Sequence, residues 1–380
     1  MKKTASILAF ILSFCLLAGC SGNTAATQET AASQPVSTTA GSSTEEESTQ
    51  PTQDAAETVS TENAASEEET SSESAPTGDD TAVRVMALKG PTAMGMVQLM
   101  DTAEAGSVGG NSYEFTIAAS ADEVTPKLVQ GDADIAAVPA NLASVLYNNT
   151  EGQVQVLAIN TLGVLYIVES GDSIQSVNDL AGKTIYASGK GSTPEYALNY
   201  ILSSNGIDPE TDVTIEWKSE HSECVAALTA EEGAVAMLPQ PFVTTAQTSN
   251  ENIRIALDLT EEWDAIQSDE EAPSALLTGV VVVRTEFADQ HPDAVNAFLD
   301  SYKESVDYVN ANTEDAALLI EKYDIVPAAV ATKALPYCNI TFIEGDEMKE
   351  KLSGYLNVLY EQNPTSVGGS LPSDDFYYIR

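Results

Sequence analysis

From Val83 onward the sequence alternates short apolar runs with amphipathic segments, and Gly or Pro stands at most junctions. Val83-Arg84-Val85-Met86-Ala87-Leu88 reads as a buried strand and Lys89-Gly90-Pro91-Thr92 as a turn. A helix with Met94, Val97, Leu99 and Met100 on its apolar face follows. A strand over 113–118, a helix over 123–130 stopped by Gly131, a strand over 134–138 ended by Pro139, a helix from Asn141 and a strand over 154–160 continue the pattern. Parallel strands need a crossover between them, so repeated strand-helix units predict an α/β protein of mostly parallel sheets flanked by helices. Ligands of such sheets bind beyond the carboxyl ends of the strands. Gly90-Pro91-Thr92 and Pro139-Ala140-Asn141 occupy two such ends, so two helix starts should converge on one crevice.

A second unit of the same kind follows. Leu165-Tyr166-Ile167-Val168 is extended, and 184–187 is a strand. Ser188-Gly189-Lys190-Gly191-Ser192-Thr193-Pro194-Glu195 then opens a helix that Asn205-Gly206 closes. Ser192 with Glu195 fits a capping box, and Thr193 with Pro194 fits an alternative start. A Gly-rich turn entering a helix exposes backbone N–H groups that suit an anionic or polar ligand. A capped helix without ligand fits the same residues equally. Strands over 213–217 and 234–238, with a helix through 224–230, lead to Pro239-Gln240-Pro241-Phe242.

The residues before Val83 are of another kind. Lys2 and Lys3 precede an apolar run over 7–17, a secretory signal too short to span a bilayer comfortably. Leu17-Ala18-Gly19-Cys20 resembles the lipobox of bacterial lipoproteins, which implies a signal peptide over 1–19 and lipidation of Cys20. Residues 20–80 form a Ser/Thr-rich acidic stretch, with 13 acids, no base, and Val36 and Val59 as the only large apolar residues. It cannot bury enough surface to offset the entropy of ordering, and is expected to be a disordered tether reaching roughly 40 Å.

Charge and chemistry narrow the function. With 58 acidic against 16 basic residues the formal net charge is −42, which excludes a nucleic-acid binder working through a basic surface. Of this, −31 is spread over 81–380. Cys224 and Cys338, far apart and without a CxxC pattern, are expected to be free thiols. His221 lies three residues before Cys224, but no other His or Cys is near, so no metal site is expected. His291 before Pro292 marks a helix start. There is no GxSxG, P-loop or HExxH, and no catalytic set or cofactor is expected.

Asp179-Leu180-Ala181-Gly182-Lys183, then Gly191-Ser192-Thr193-Pro194-Glu195, then Leu238-Pro239-Gln240-Pro241-Phe242, then 279–284 with Phe287 and His291-Pro292, form an ordered set. In order and spacing it resembles the solute-binding proteins of ABC importers, nearest the nitrate/sulfonate/taurine and thiamine-pyrimidine branch, over roughly residues 82–360. The resemblance implies a type II periplasmic-binding-protein fold, with lobe one at 81–161 and 274–380 and lobe two at 162–273. Crossings would lie near Thr161-Leu162-Gly163 and over 274–278, and hinge closure would trap solute between the lobes.

On that template Gly90, Thr92, Met94, Asn141, Ser188, Gly189, Gly191, Ser192, Thr193, Gln240, Phe242 and Tyr337 contact solute. The N–H groups of Gly189, Gly191 and Thr193 would receive a carboxylate, sulfonate or phosphate. Asn141 and Gln240 would orient a neutral polar group, and Tyr337 or Phe242 would stack on a flat one. Core packing accounts for Met94 and Phe242 at least as well. Gln240 replaces a Glu common in relatives, which argues against an amine-bearing ligand. The expected role is a monomeric, non-enzymatic receptor on the extracytoplasmic face of the cell membrane, held there by its lipid anchor alone. It would deliver a small organic or anionic solute to an ABC permease and its ATPase. A surface sensor using the same cleft, or an enzyme on the same fold, are the alternatives.

Overall fold

The computed structural model describes residues 80–268 and 274–380; the signal peptide, Cys20 and the tether through residue 79 lie outside the described residues. Eleven strands occur among the described residues. They are β1 (Thr81–Leu88), β2 (Asn111–Ala118), β3 (Ile135–Pro139), β4 (Val154–Leu162), β5 (Leu165–Ser170), β6 (Thr184–Ser188), β7 (Thr214–Lys218), β8 (Val235–Pro239), β9 (Ile253–Asp258), β10 (Leu277–Arg284) and β11 (Ile340–Ile343). They form a six-stranded sheet in the order β11-β4-β10-β3-β1-β2 and a five-stranded sheet in the order β7-β6-β8-β5-β9. Helices flank both, as the strand-helix alternation predicts.

The sheets are mixed rather than parallel throughout. β1 pairs in parallel with β2 and β3, whereas β10 is antiparallel to β3 and β4. In the second sheet β6 pairs in parallel with β7 and β8, whereas β5 is antiparallel to β8 and β9. The reason is topological. The chain leaves the first sheet at the carboxyl end of β4 and comes back at that same end, where Leu277 stands opposite Leu162. A strand entering there must run backwards. β5 enters the second sheet in the same way, with Leu165 opposite Pro239.

Burial follows position. β3 and β8 are covered on both faces and are almost wholly apolar, whereas edge strand β2 alternates exposed Ser112, Glu114 and Thr116 with Tyr113, Phe115 and Ile117. Asp134, 1% exposed before β3, takes hydrogen bonds from the Arg84 backbone and guanidinium and from Arg284, so it ties β1 to β10. Burial alone would raise its pKa, but those bonds hold its carboxyl below the usual range. Cys224 and Cys338 are buried and unbonded.

One apolar cluster is shared by the two sheets. It joins Met86, Val138, Ile159 and Val280 of the first to Ile167, Ile185 and Met237 of the second, through Leu198, Trp263 and Tyr355 on the flanking helices. Two further clusters belong to one sheet each, around Val85 and Phe298, and around Val168 and Leu228.

The first helix departs from expectation. It is broken into Pro91–Met94 and Val97–Ala103. The Ser305 hydroxyl donates to the Gly95 carbonyl at 2.7 Å and accepts from the Leu99 N–H at 3.1 Å. It thus sits inside an i→i−4 rung, one of the recognised causes of a helix kink.

Candidate functional site

The carboxyl ends of β1, β3, β6 and β8 carry the expected residues, and the structure sorts them into four groups. The first lies at the end of β1. Gly90 has φ 131° and ψ −156°, a conformation open in practice only to glycine. The Thr92 hydroxyl donates to Leu88 O at 2.8 Å, and its carbonyl accepts from the Asn160 amide at 3.2 Å. Met94 is fully buried among Val85, Ala93 and Phe298, so it packs the core instead of lining a crevice.

The second group joins the two sheets. Asn141, 1% exposed, opens the helix Ala140–Asn149. Its Oδ1 accepts from the N–H of Thr193 at 3.1 Å, and its Nδ2 donates to Ser366 O at 3.1 Å. Thr193 begins the helix Thr193–Ser204, and its hydroxyl accepts from the buried Tyr355 OH at 3.1 Å. The turn before this helix is also internally satisfied. Gly191 N–H donates to the Glu195 carboxylate at 2.6 Å, and the Ser192 hydroxyl donates to Gly189 O at 3.0 Å. Gly189 and Gly191 take left-handed φ values of 83° and 78°. The expected capping box is therefore absent, because Ser192 bonds backward and Glu195 reaches the residue before it. Two of the three amides expected to be free already have acceptors.

In the third group Ser188 and Phe242 were expected, whereas His221 was missed in the sequence. Ser188, at the end of β6, bonds His221 Nδ1, and the His221 ring packs on Phe242 with centroids 4.8 Å apart. Burial pushes the imidazole pKa down to about 4, so the ring is neutral near pH 7. Spacing to Cys224 suggested only an absent zinc site. The available signal was different: His221 follows the carboxyl end of β7, where ligands of such sheets bind.

The fourth group forms a groove of ≈ 840 Å³ lined by Gln240, Thr244, Gln247, Thr248, Glu251, Ile255, Lys333, Pro336 and Tyr337. One wall is the helix Phe242–Ser249, which packs on the five-stranded sheet. The other is the segment from Ala328–Ala334 to Tyr337, which packs on the six-stranded sheet. Gln240 and Thr244 form a buried floor, while Lys333 and the 55% exposed Tyr337 form the rim. Lys333 makes no ion pair among the described residues. Lys89, by contrast, is paired with Asp324 at 3.6 Å. A smaller concavity of ≈ 360 Å³ lies at the opposite strand ends, beside Gly131 and Arg284, whose guanidinium is already held by Asp134 and Glu286.

A groove with one wall from each of two sheets suits the binding of a small molecule between them. The sequence profile of the ABC-transporter phosphonate periplasmic substrate-binding proteins matches residues 97–333. The chain belongs to that family. It is accordingly a substrate-binding component of an ABC importer for small solutes, a transport protein of an extracytoplasmic family. No helix among the described residues is long and apolar enough to cross a membrane.

Solved structures agree on the fold. An ABC-transporter protein from Parabacteroides distasonis is 21% identical, with a TM-score of 0.66 over 79% of this chain and 99% of that one. The aliphatic sulphonate-binding protein SsuA from Escherichia coli is 16% identical, with a TM-score of 0.62 over 78% and 92%. The alkanesulfonate-binding SsuA from Xanthomonas axonopodis pv. citri, bound to MOPS, is 13% identical, with a TM-score of 0.59 over 78% and 96%. No curated protein matches the sequence.

Proposed function

We propose that this binding protein is a lipid-anchored receptor that captures a small organic oxyanion, of the phosphonate or sulfonate class, between its two sheets. One observation carries the reading. The groove has a buried polar floor at Gln240 and Thr244, a cation at Lys333 that forms no ion pair among the described residues, and an aromatic rim at Tyr337, and its walls come from both sheets. A concave site with few convergent polar groups is the usual form of a small-molecule site. The family and its sulfonate-binding neighbours favour the oxyanion class. In this reading lobe one comprises 81–161 and 274–380, lobe two comprises 162–273, and the monomer hands its solute to a permease and ATPase.

Native mass spectrometry of the purified protein tests capture. A co-purified small molecule that is lost on denaturation is expected. A clean apo mass, with no thermal shift across a panel of phosphonates, sulfonates and carboxylates, would count against it. The anchor is tested separately. Cys20→Ala should release the protein from the membrane fraction, and unchanged retention would refute lipidation.

A further inference from the structure

The side chain of Gln240 is 1% exposed, and both hydrogen bonds it makes fall on one atom. Oε1 accepts from the Thr244 N–H at 3.3 Å and from the Thr244 hydroxyl at 2.9 Å. A backbone N–H can only donate, so the atom it meets must be the amide oxygen, and the amide cannot turn over without losing that bond. The Nε2 group has no partner among the described residues, and Gln240 lines the groove. An amide is ordinarily ambivalent, donor at one end and acceptor at the other. Here Thr244 has used up the acceptor end.

We propose that Gln240 is the specificity-determining residue of this cleft, fixed by Thr244 as a donor that selects a solute with a hydrogen-bond acceptor at its position and rejects one with an ammonium there. This rests on the groove being the solute site. An ammonium placed against a fixed NH2 would have its own donors facing donors, and neither group would find an acceptor in the other. Sites built around a buried hydrogen bond discriminate strongly for that reason. The other charges on the walls, Lys333 and Glu251, are exposed and also act on an ammonium, but they are unchanged in the Gln240 variant and so cancel when its preference is compared with that of the wild type.

The test uses pairs that differ by one ammonium, ethylphosphonate against 2-aminoethylphosphonate and ethanesulfonate against taurine. Each is titrated calorimetrically into the full chain in detergent. The wild type should favour the member without ammonium by more than about tenfold. Gln240→Glu keeps an oxygen for Thr244 and turns the other carboxylate oxygen to the groove, so the preference should invert. Thr244→Val, milder for folding, removes the hydroxyl but keeps the N–H that fixes the oxygen, so the preference for the member without ammonium should persist. A wild type that favours the ammonium member, or a ratio unmoved by Gln240→Glu, overturns the inference while solute capture stands. Failure of all four compounds with both the wild type and Gln240→Glu overturns the inference together with the oxyanion reading of the groove.

Discussion

The carboxamide oxygen of Asn141 accepts the backbone N–H of Thr193 at 3.1 Å, joining the first turn of a helix on the six-stranded sheet to the first turn of one on the five-stranded sheet. Both residues are buried, and Tyr355 OH closes the junction from a third helix. With the shared apolar cluster this makes one side of the molecule a seam, whereas the groove at Gln240 and Tyr337 lies between separate clusters.

Removing the Asn141 side chain leaves a buried N–H without an acceptor. Asn141→Ala should cost about 2 kcal/mol. Urea unfolding should show a lower midpoint at unchanged slope. A stability equal to that of the wild type would mean the junction contributes nothing.

His221 sets a pH dependence. Its pKa is about 4 in the fold against 6.5 for the free group. Above pH 6.5 both states are neutral and the residue makes no difference. Between pH 6.5 and 4 the unfolded chain takes the proton first, so stability should fall through that window, by up to about 3 kcal/mol. His221→Gln should flatten this part of a stability profile measured from pH 7 to 4. An unaltered slope would contradict the burial assigned to the ring.

Gly163 lies in the link between β4 and β5. A Cβ there would stand 2.1 Å from Thr260 Oγ1 and 3.0 Å from Thr260 Cβ. Gly163→Ala should therefore destabilise by about 1–3 kcal/mol through overpacking. Thr260→Ala in the same chain should recover much of the loss, because it removes the nearest atom. Additivity of the two substitutions in a double-mutant cycle would disprove the close approach.

Asp134 is buried between two arginines. Asp134→Ala should cost about 3 kcal/mol, since it strips the partner from cations held against the sheet. Because the carboxyl pKa lies below its ordinary 3.8, the contribution is present above that pH and is lost only in stronger acid. Chemical denaturation at pH 7 and at pH 3 would show whether the difference between variant and wild type narrows.

Much of the fold was legible because it rests on local pattern. Gly131 stops its helix with φ 79°, Pro139 ends β3, and Asn205 caps the helix that opens at Thr193. The broken helix at Gly95 was not legible, since its cause is Ser305, 210 residues away in sequence. Gln240 and Thr193 were readable as polar residues at strand and helix ends, but not which of their atoms would be left for a solute.

By itself the sequence determined the α/β class, the order of elements and the family, because hydrophobic period, turn residues and ordered motifs are properties of neighbours along the chain. Only the tertiary structure decided which polar groups are spent and which are free. Asn141 consumes the amide of Thr193, Thr244 consumes the oxygen of Gln240, and Ser188 fixes one nitrogen of His221. A hydrogen-bonding group has few sites, and only distance in space says who fills them.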